Sequence, residues 1–309
     1  MEFKHLPVLL KETIEGLDIK EDGVYLDCTV GGGGHAKEIA KRIPYGKLYA
    51  LDQDLEALAS AKENLKEFSQ VHFIHGNFLH LDEILQKEQI EGLDGILLDI
   101  GVSSYQLDEG KRGFSFHEDA PLDMRMDQSA NIPTAADIVN SYSLEDLIRI
   151  FYDYGEEAWS KRIANFIVES RNTKKLESTF DLVEVIKKAI PKKLRQDKHP
   201  ATKVFQALRI EVNQELIALE KALDIAIDAL NRGGRLCVIS FHSLEDRIVK
   251  ETFRKESKNC ICPKEFPICV CNHKKKIKEI VRRPVMASKE EVAMNRRSRS
   301  AKLRIAERV

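Results

Sequence analysis

Apolar and polar positions alternate in two distinct rhythms along this chain. Over the first hundred residues, short apolar runs bounded by turn residues predict buried parallel strands at Val24-Tyr25-Leu26, Leu48-Tyr49-Ala50-Leu51, Val71-His72-Phe73-Ile74 and Gly95-Ile96-Leu97-Leu98. Helical spacing falls between and after them, near residues 35–43, 54–67 and 80–88, which is the βαβ rhythm of an open α/β sheet. From about Tyr105 to Lys203 the strand signals stop, and helical segments near 144–152, 156–171 and 179–190 follow one another across loop-like stretches. A long amphipathic helix from Thr202 to Leu230 then leads, past Gly233 as a left-handed cap, into a strand from Arg235 to Phe241. Lys302 to Ala306 adds a final strand. The pattern predicts a discontinuous, doubly wound Rossmann-like α/β domain, residues 1–105 and 204–309, interrupted by an all-helical insertion over 106–203.

Charge sharpens this division. The net charge is only −1, but residues 1–150 hold 14 Lys and Arg against 28 Asp and Glu, while residues 151–309 hold 35 against 22. Lys187 to Arg209 carries eight basic residues against one acid, and Lys274 to Arg308 thirteen against four. Such segments are either solvated helix faces or one face of a polyanion site. No apolar run reaches the ~18 residues of a membrane helix, and Met1 to His5 lacks a signal-peptide pattern, so a cytoplasmic protein is expected.

The first candidate chemistry is the loop Asp27-Cys28-Thr29-Val30-Gly31-Gly32-Gly33-Gly34-His35-Ala36, placed directly after one strand and before a helix. Glycines there allow positive φ and let the backbone approach a ligand closely. The loop does not choose a cofactor, because Gly31, Gly33 and Ala36 also satisfy the dinucleotide fingerprint and Asp52 stands where a ribose carboxylate belongs. Three features favour methyl transfer from S-adenosylmethionine over NAD-dependent hydride transfer. Asp27 closes the first strand, Gly76-Asn77-Phe78 follows the third, and Asp99 ends the fourth in the crevice where such folds do chemistry.

With these residues the chain closely resembles the bacterial 16S ribosomal RNA cytosine-N4 methyltransferase family. The likeness also runs through Gly95 to Ser104, Arg112 to Phe116, Pro121 to Met126, Gly155 to Glu157, His199 to Thr202, Phe205 to Arg209, Ile239 to Arg247 and Arg297 to Ser300. It implies a class I methyltransferase that methylates the exocyclic N4 amine of a cytidine in the decoding region, with 16S rRNA or the small ribosomal subunit as partner. It further implies S-adenosylmethionine contacts at Gly33, Gly34, His35, Asp52, Phe78, Asp99 and Gln106. Asp52 would take the ribose hydroxyls and Phe78 the adenine, with Asp99 and Gln106 on the adenine or methionine side. A non-catalytic ribosome-assembly factor that merely keeps the fold is the competing reading; intact acids at Asp27, Asp52 and Asp99 weigh against it. Oligomeric state is left open, a dimer included.

A cytosine N4 amine is a poor nucleophile, so catalysis must orient it and accept hydrogen bonds from its protons. Asp99 is the candidate for that task, with cofactor binding alone as its alternative, and His242, just past the fifth strand, is a second catalytic candidate or a structural hydrogen-bonder. Phe114 and Phe116 either stack on an unpaired base or pack the core of the insertion. Cys260, Cys262, Cys269 and Cys271 have the density of a structural zinc site; reduced thiols or an oxidation-sensitive clip are the other readings.

Overall fold

A computed structural model describes residues 7–101, 110–191, 199–263, 265–266 and 268–309. It divides into two compact units, Met1–Gly101 with Leu216–Val309, and Val102–Glu215.

The first unit is built on one sheet. Its strands are β1 (Val24–Asp27), β2 (Lys47–Asp52), β3 (Val71–His75), β4 (Leu93–Asp99), β5 (Leu230–Ser240), β6 (Ile277–Glu279), β7 (Val285–Met286) and β8 (Lys302–Arg308). They lie in the order β3-β2-β1-β4-β5-β8-β6, with β7 also paired to β8. Strands β1 to β5 run parallel, whereas β8 is antiparallel to β5 and to β6. The strands expected from the apolar runs all form. Their near-continuous apolar character follows from burial on both faces, as parallel sheets require.

One face holds Tyr25, Leu48, Ala50, Leu97, Cys237 and Ile239 against α1 (Leu10–Leu17), α2 (Gly34–Ala40) and α3 (Leu55–Asn64). The other holds Leu26, Leu51, Ile96, Leu98, Leu236 and Val238. Against it lie α4 (Leu81–Lys87), α10 (Glu215–Ala229) and α11 (Ser243–Glu256), whose numbering counts the helices of the second unit. The order of winding reverses between β1 and β4, and such a reversal opens a crevice at the carboxyl ends of those strands.

The second unit contains α5 (Ala135–Ser141), α6 (Leu144–Asp153), α7 (Ser160–Arg171), α8 (Thr179–Ala189) and α9 (Thr202–Asn213) around one apolar core. Ser143 caps α6, and reciprocal capping boxes, Thr134 with Asp137 and Ser178 with Asp181, start α5 and α8. A last short helix, α12 (Lys289–Met294), belongs to the first unit.

Two expectations need correction. The helix expected from Thr202 to Leu230 is broken at Gln214, which takes left-handed angles (φ 50°, ψ 36°) and separates α9 from α10. No glycine or proline marks the break; distant hydrogen bonds hold it. Asn213 Oδ1 accepts from the Met126 N–H at 2.8 Å, while its Nδ2 donates to the carbonyls of Met124 and Arg209. Arg209 also forms a two-point ion pair with Glu215, donating from Nε and Nη2 at 2.8 Å each. The helical unit therefore extends to Glu215 rather than 203, because α9 buries Val204, Phe205, Ala207, Leu208 and Val212 in that unit's core.

Candidate active site

The loop after β1 is held by the strands on either side of it. Cys28 N–H donates to the Leu97 carbonyl and Val30 N–H to Leu51, both at 2.9 Å. Asp27, at the end of β1, is buried and accepts from the Thr29 N–H at 3.0 Å. Asp52, at the end of β2, accepts from the Gly31 N–H at 2.8 Å through Oδ2 and from Asp54 N–H at 2.9 Å through Oδ1. Asp99 ends β4, and its N–H donates to Thr29 Oγ1 at 2.7 Å. Thr29 thus ties together two of the three acids, a role that nothing in its local sequence announces.

The four glycines do different work. Gly31 (φ 51°) and Gly32 have room where a side chain would project, their nearest neighbouring atoms standing at ordinary contact distance, 3.9 Å from an added Cβ. Gly33 (φ 84°) donates its N–H to Val30, and a Cβ there would stand 3.1 Å from Leu65. At Gly34 a Cβ would collide with the Pro7 ring. Gly33 and Gly34 are therefore required by packing, and Gly31 and Gly32 leave the approach open.

Burial pushes the Asp27 carboxyl up to about 7, with the Asp52 charge adding to the rise. It pushes Asp52 up to about 6 against the pull of the Asp54 and Gly31 amides. Asp99 lies well above the usual carboxylate range through burial, then through the charges of Asp27 and Glu245. Among the described residues Asp99 Oδ1 has no hydrogen-bond partner, while Oδ2 stands 3.7 Å from His35 Nδ1. The other ring nitrogen of His35, Nε2, is 3.0 Å from the Val8 carbonyl.

His242 is the N-cap of α11: its Nδ1 accepts from the Glu245 N–H at 3.4 Å, and Glu245 Oε2 accepts from the N–H groups of Phe241 and His242. Glu245 is fully buried, and sequence reasoning does not place it in the site. Its only sequence signal is its place three residues after His242, the spacing of a capping box.

Phe78 opens a short 3₁₀ turn after β3 and lies in the sheet's core, beside a loop fastened by the Asn77 Nδ2 to Gln53 Oε1 bond at 2.7 Å. Gln106 lies outside the described residues, as do Lys192, Lys193, Arg195 and Lys198. Phe114 is in the core of the helical unit, and Phe116 stacks on His199 with ring centroids 4.5 Å apart while meeting Phe205 edge-on. Both phenylalanines are thus engaged by protein. The sulfurs of Cys260, Cys262, Cys269 and Cys271 all lie within 4.8 Å of one another.

The donor set fits S-adenosylmethionine. Three carboxylates crowd the ends of β1, β2 and β4, and among the described residues no Lys or Arg is paired with any of them. Acids driven upward by burial and mutual repulsion are completed by a cationic ligand, and a sulfonium bearing an amino acid and a ribose diol carries that chemistry.

Residues 2–309 match the model of the MraW methylase family. Full-length relatives include proteins named ribosomal RNA small subunit methyltransferase H from Finegoldia magna (57% identical over 312 residues) and Clostridium botulinum strain Loch Maree (55% over 310). One from Clostridioides difficile strain 630 is 53% identical over 312 residues; each alignment covers 100% of both chains. A reversed parallel sheet whose acids gather around a glycine loop, together with an end-to-end match to one family of methylases, makes this chain a member of the MraW methylase family.

Proposed function

We propose that this chain is an S-adenosylmethionine-dependent methyltransferase of small-subunit ribosomal RNA, acting on the exocyclic N4 amine of a cytidine in the decoding region. The names of its full-length relatives support the substrate class. The observation that carries the chemistry is Asp99, a carboxylate at the switch point of the sheet with a buried oxygen that no described group satisfies.

When bound, S-adenosylmethionine supplies an electrophilic methyl group. Asp52, with its carboxylate fixed by two amides, would receive the ribose hydroxyls; Phe78 would border the adenine, and Gly31 and Gly32 would leave the backbone open to close approach. Asp99 Oδ1 would accept a hydrogen bond from the amine and hold its lone pair toward the methyl. His35 would border Asp99 on the Oδ2 side. His242 caps α11 in this reading and takes no part in proton transfer. The exposed Arg296 and Arg299 would contact RNA phosphates.

The test is incubation of the purified chain with methyl-labelled S-adenosylmethionine and small-subunit RNA, free or assembled, followed by mass-spectrometric mapping. N4-methylcytidine at a decoding-region position is expected. Label on another atom, or no label with either substrate, overturns the reading, and tighter binding of NAD than of S-adenosylmethionine would move the chain to another class.

A further inference from the structure

We propose that Cys260, Cys262, Cys269 and Cys271 bind one zinc(II) ion as a tetrathiolate clip in the segment between α11 and β6. The neighbouring sulfurs are 3.8 Å apart for Cys271 and Cys260, 3.5 Å for Cys269 and Cys271, and 4.0 Å for Cys262 and Cys269. A tetrahedron with Zn–S bonds of about 2.3 Å has S–S edges of about 3.8 Å. These three separations lie close to that edge, and every other pair of the four sulfurs stays within 4.8 Å. A disulfide needs sulfurs about 2.05 Å apart, and none of these pairs is near that. An iron–sulfur cluster would spread its four cysteine sulfurs well beyond the observed 4.8 Å limit, because irons and sulfides fill the middle.

The backbone supports the same assignment. Ile261 N–H donates to Cys271 Sγ, Cys262 N–H to Cys260 Sγ and Val270 N–H to Cys262 Sγ, each at 3.4 Å. Amides turned onto sulfur offset the negative charge that four thiolates bring to one cation, which is the outer-shell pattern of metal sites. His273 is engaged elsewhere, its Nε2 lying 3.1 Å from the Lys255 carbonyl, so the donor set is the four sulfurs. Soft sulfur ligands in tetrahedral array select zinc over the harder divalent ions.

Among the described residues the segment buries little apolar surface of its own. Ile261, Phe266, Ile268 and Val270 are all exposed, Ile268 at 75% and Val270 at 65%, so its apolar side chains contribute no core. A cross-linking ion supplies what burial does not.

The experiment uses the full chain, purified reduced and without chelator. Elemental analysis is expected to give one zinc per chain, and titration with an organomercurial should release it as four thiols react. Replacement by cobalt(II) should give the visible bands of a tetrahedral thiolate site. The double variant Cys262→Ser, Cys271→Ser should carry no zinc. Should that variant fail to fold, the wild-type chain decides: a strong chelator should loosen the backbone around Lys258 and Lys274, both already exposed, so that trypsin cuts after them faster, and leave S-adenosylmethionine affinity unchanged. No zinc above background in the reduced, zinc-reconstituted chain overturns the proposal. Zinc retained by a folded double variant, or unaltered trypsin cleavage after complete zinc removal, also overturns it.

Discussion

His35 presents Nδ1 to Asp99 Oδ2 at 3.7 Å, at the base of the crevice. Its Nε2 faces the Val8 carbonyl at 3.0 Å, and a carbonyl only accepts, so Nε2 must carry the hydrogen. Nδ1 and Oδ2, at 3.7 Å, are beyond hydrogen-bond reach, so His35 borders Asp99 without bonding to it. Burial, then the charges of Asp27 and Glu245, raises the Asp99 carboxyl well above its ordinary range. Oδ1 has no hydrogen-bond partner among the described residues and is left to accept from an amine.

Asp99→Ala removes the acceptor oxygen. If Asp99 orients the amine, turnover at saturating cofactor should fall by roughly 10²–10⁴, the range of a lost general acid–base group, with cofactor affinity changing less than about tenfold. Equal loss in both, measured by single-turnover methylation and calorimetry, would reduce Asp99 to a cofactor ligand.

His35→Ala should leave the Val8 carbonyl without its donor in a buried place. An unsatisfied buried group costs about 1–3 kcal/mol, which for a chain of this size lowers Tm by several degrees. Scanning calorimetry checks it. An unchanged Tm would mean that water replaces the ring.

The acids set the response to pH. Asp27 rises from 3.8 to about 7 and Asp52 from 3.8 to about 6, so the folded chain holds protons that the unfolded chain has released. Without cofactor, stability from these groups is highest below the unfolded value and is lost as pH rises through the folded values, between about pH 4 and about pH 7. Asp52→Asn should remove its share of that slope, on the order of 2–3 kcal/mol, in urea unfolding across the window. Affinity for the cationic cofactor should run the opposite way, rising from about pH 5 to about pH 7.5 as the carboxylates ionise.

Two glycine variants separate packing from binding. Gly32→Ala has room for its methyl, so Tm should hold within about 1 °C while cofactor affinity falls. Gly33→Ala forces a left-handed alanine against Leu65 and should cost about 1 kcal/mol or more. If Gly32→Ala binds cofactor normally, the open side of the loop is not the binding face.

Arg296 and Arg299 test the RNA reading independently of the cofactor. Reversing both to glutamate should weaken RNA binding and flatten its salt dependence by roughly 0.7–0.9 of log–log slope for each phosphate no longer neutralised. Cofactor affinity should not move. Filter binding at several salt concentrations would show no change if these are solvated charges only.

Much of the fold is legible in the amino-acid order alone. Runs such as Leu48 to Leu51 and Gly95 to Leu98, short and bounded by turn residues, read as strands buried on both faces, and the glycine loop between strand and helix, with Asp27, Asp52 and Asp99 at strand ends, marks the crevice through local pattern. What that pattern could not carry is pairing at a distance. Lys302 to Ala306 reads as a strand, yet its place between β5 and β6, and its reversed direction, depend on register with residues far along the chain. Thr29 meets Asp99 because β1 and β4 are neighbours in the sheet. The break at Gln214 comes from Asn213 reaching Met124 and Met126, which no helical periodicity records. Local spacing dictates which elements form, because backbone geometry and one-sided burial act within a few residues. The partners of Asp99 and the kink follow from contacts that exist only once those elements have packed.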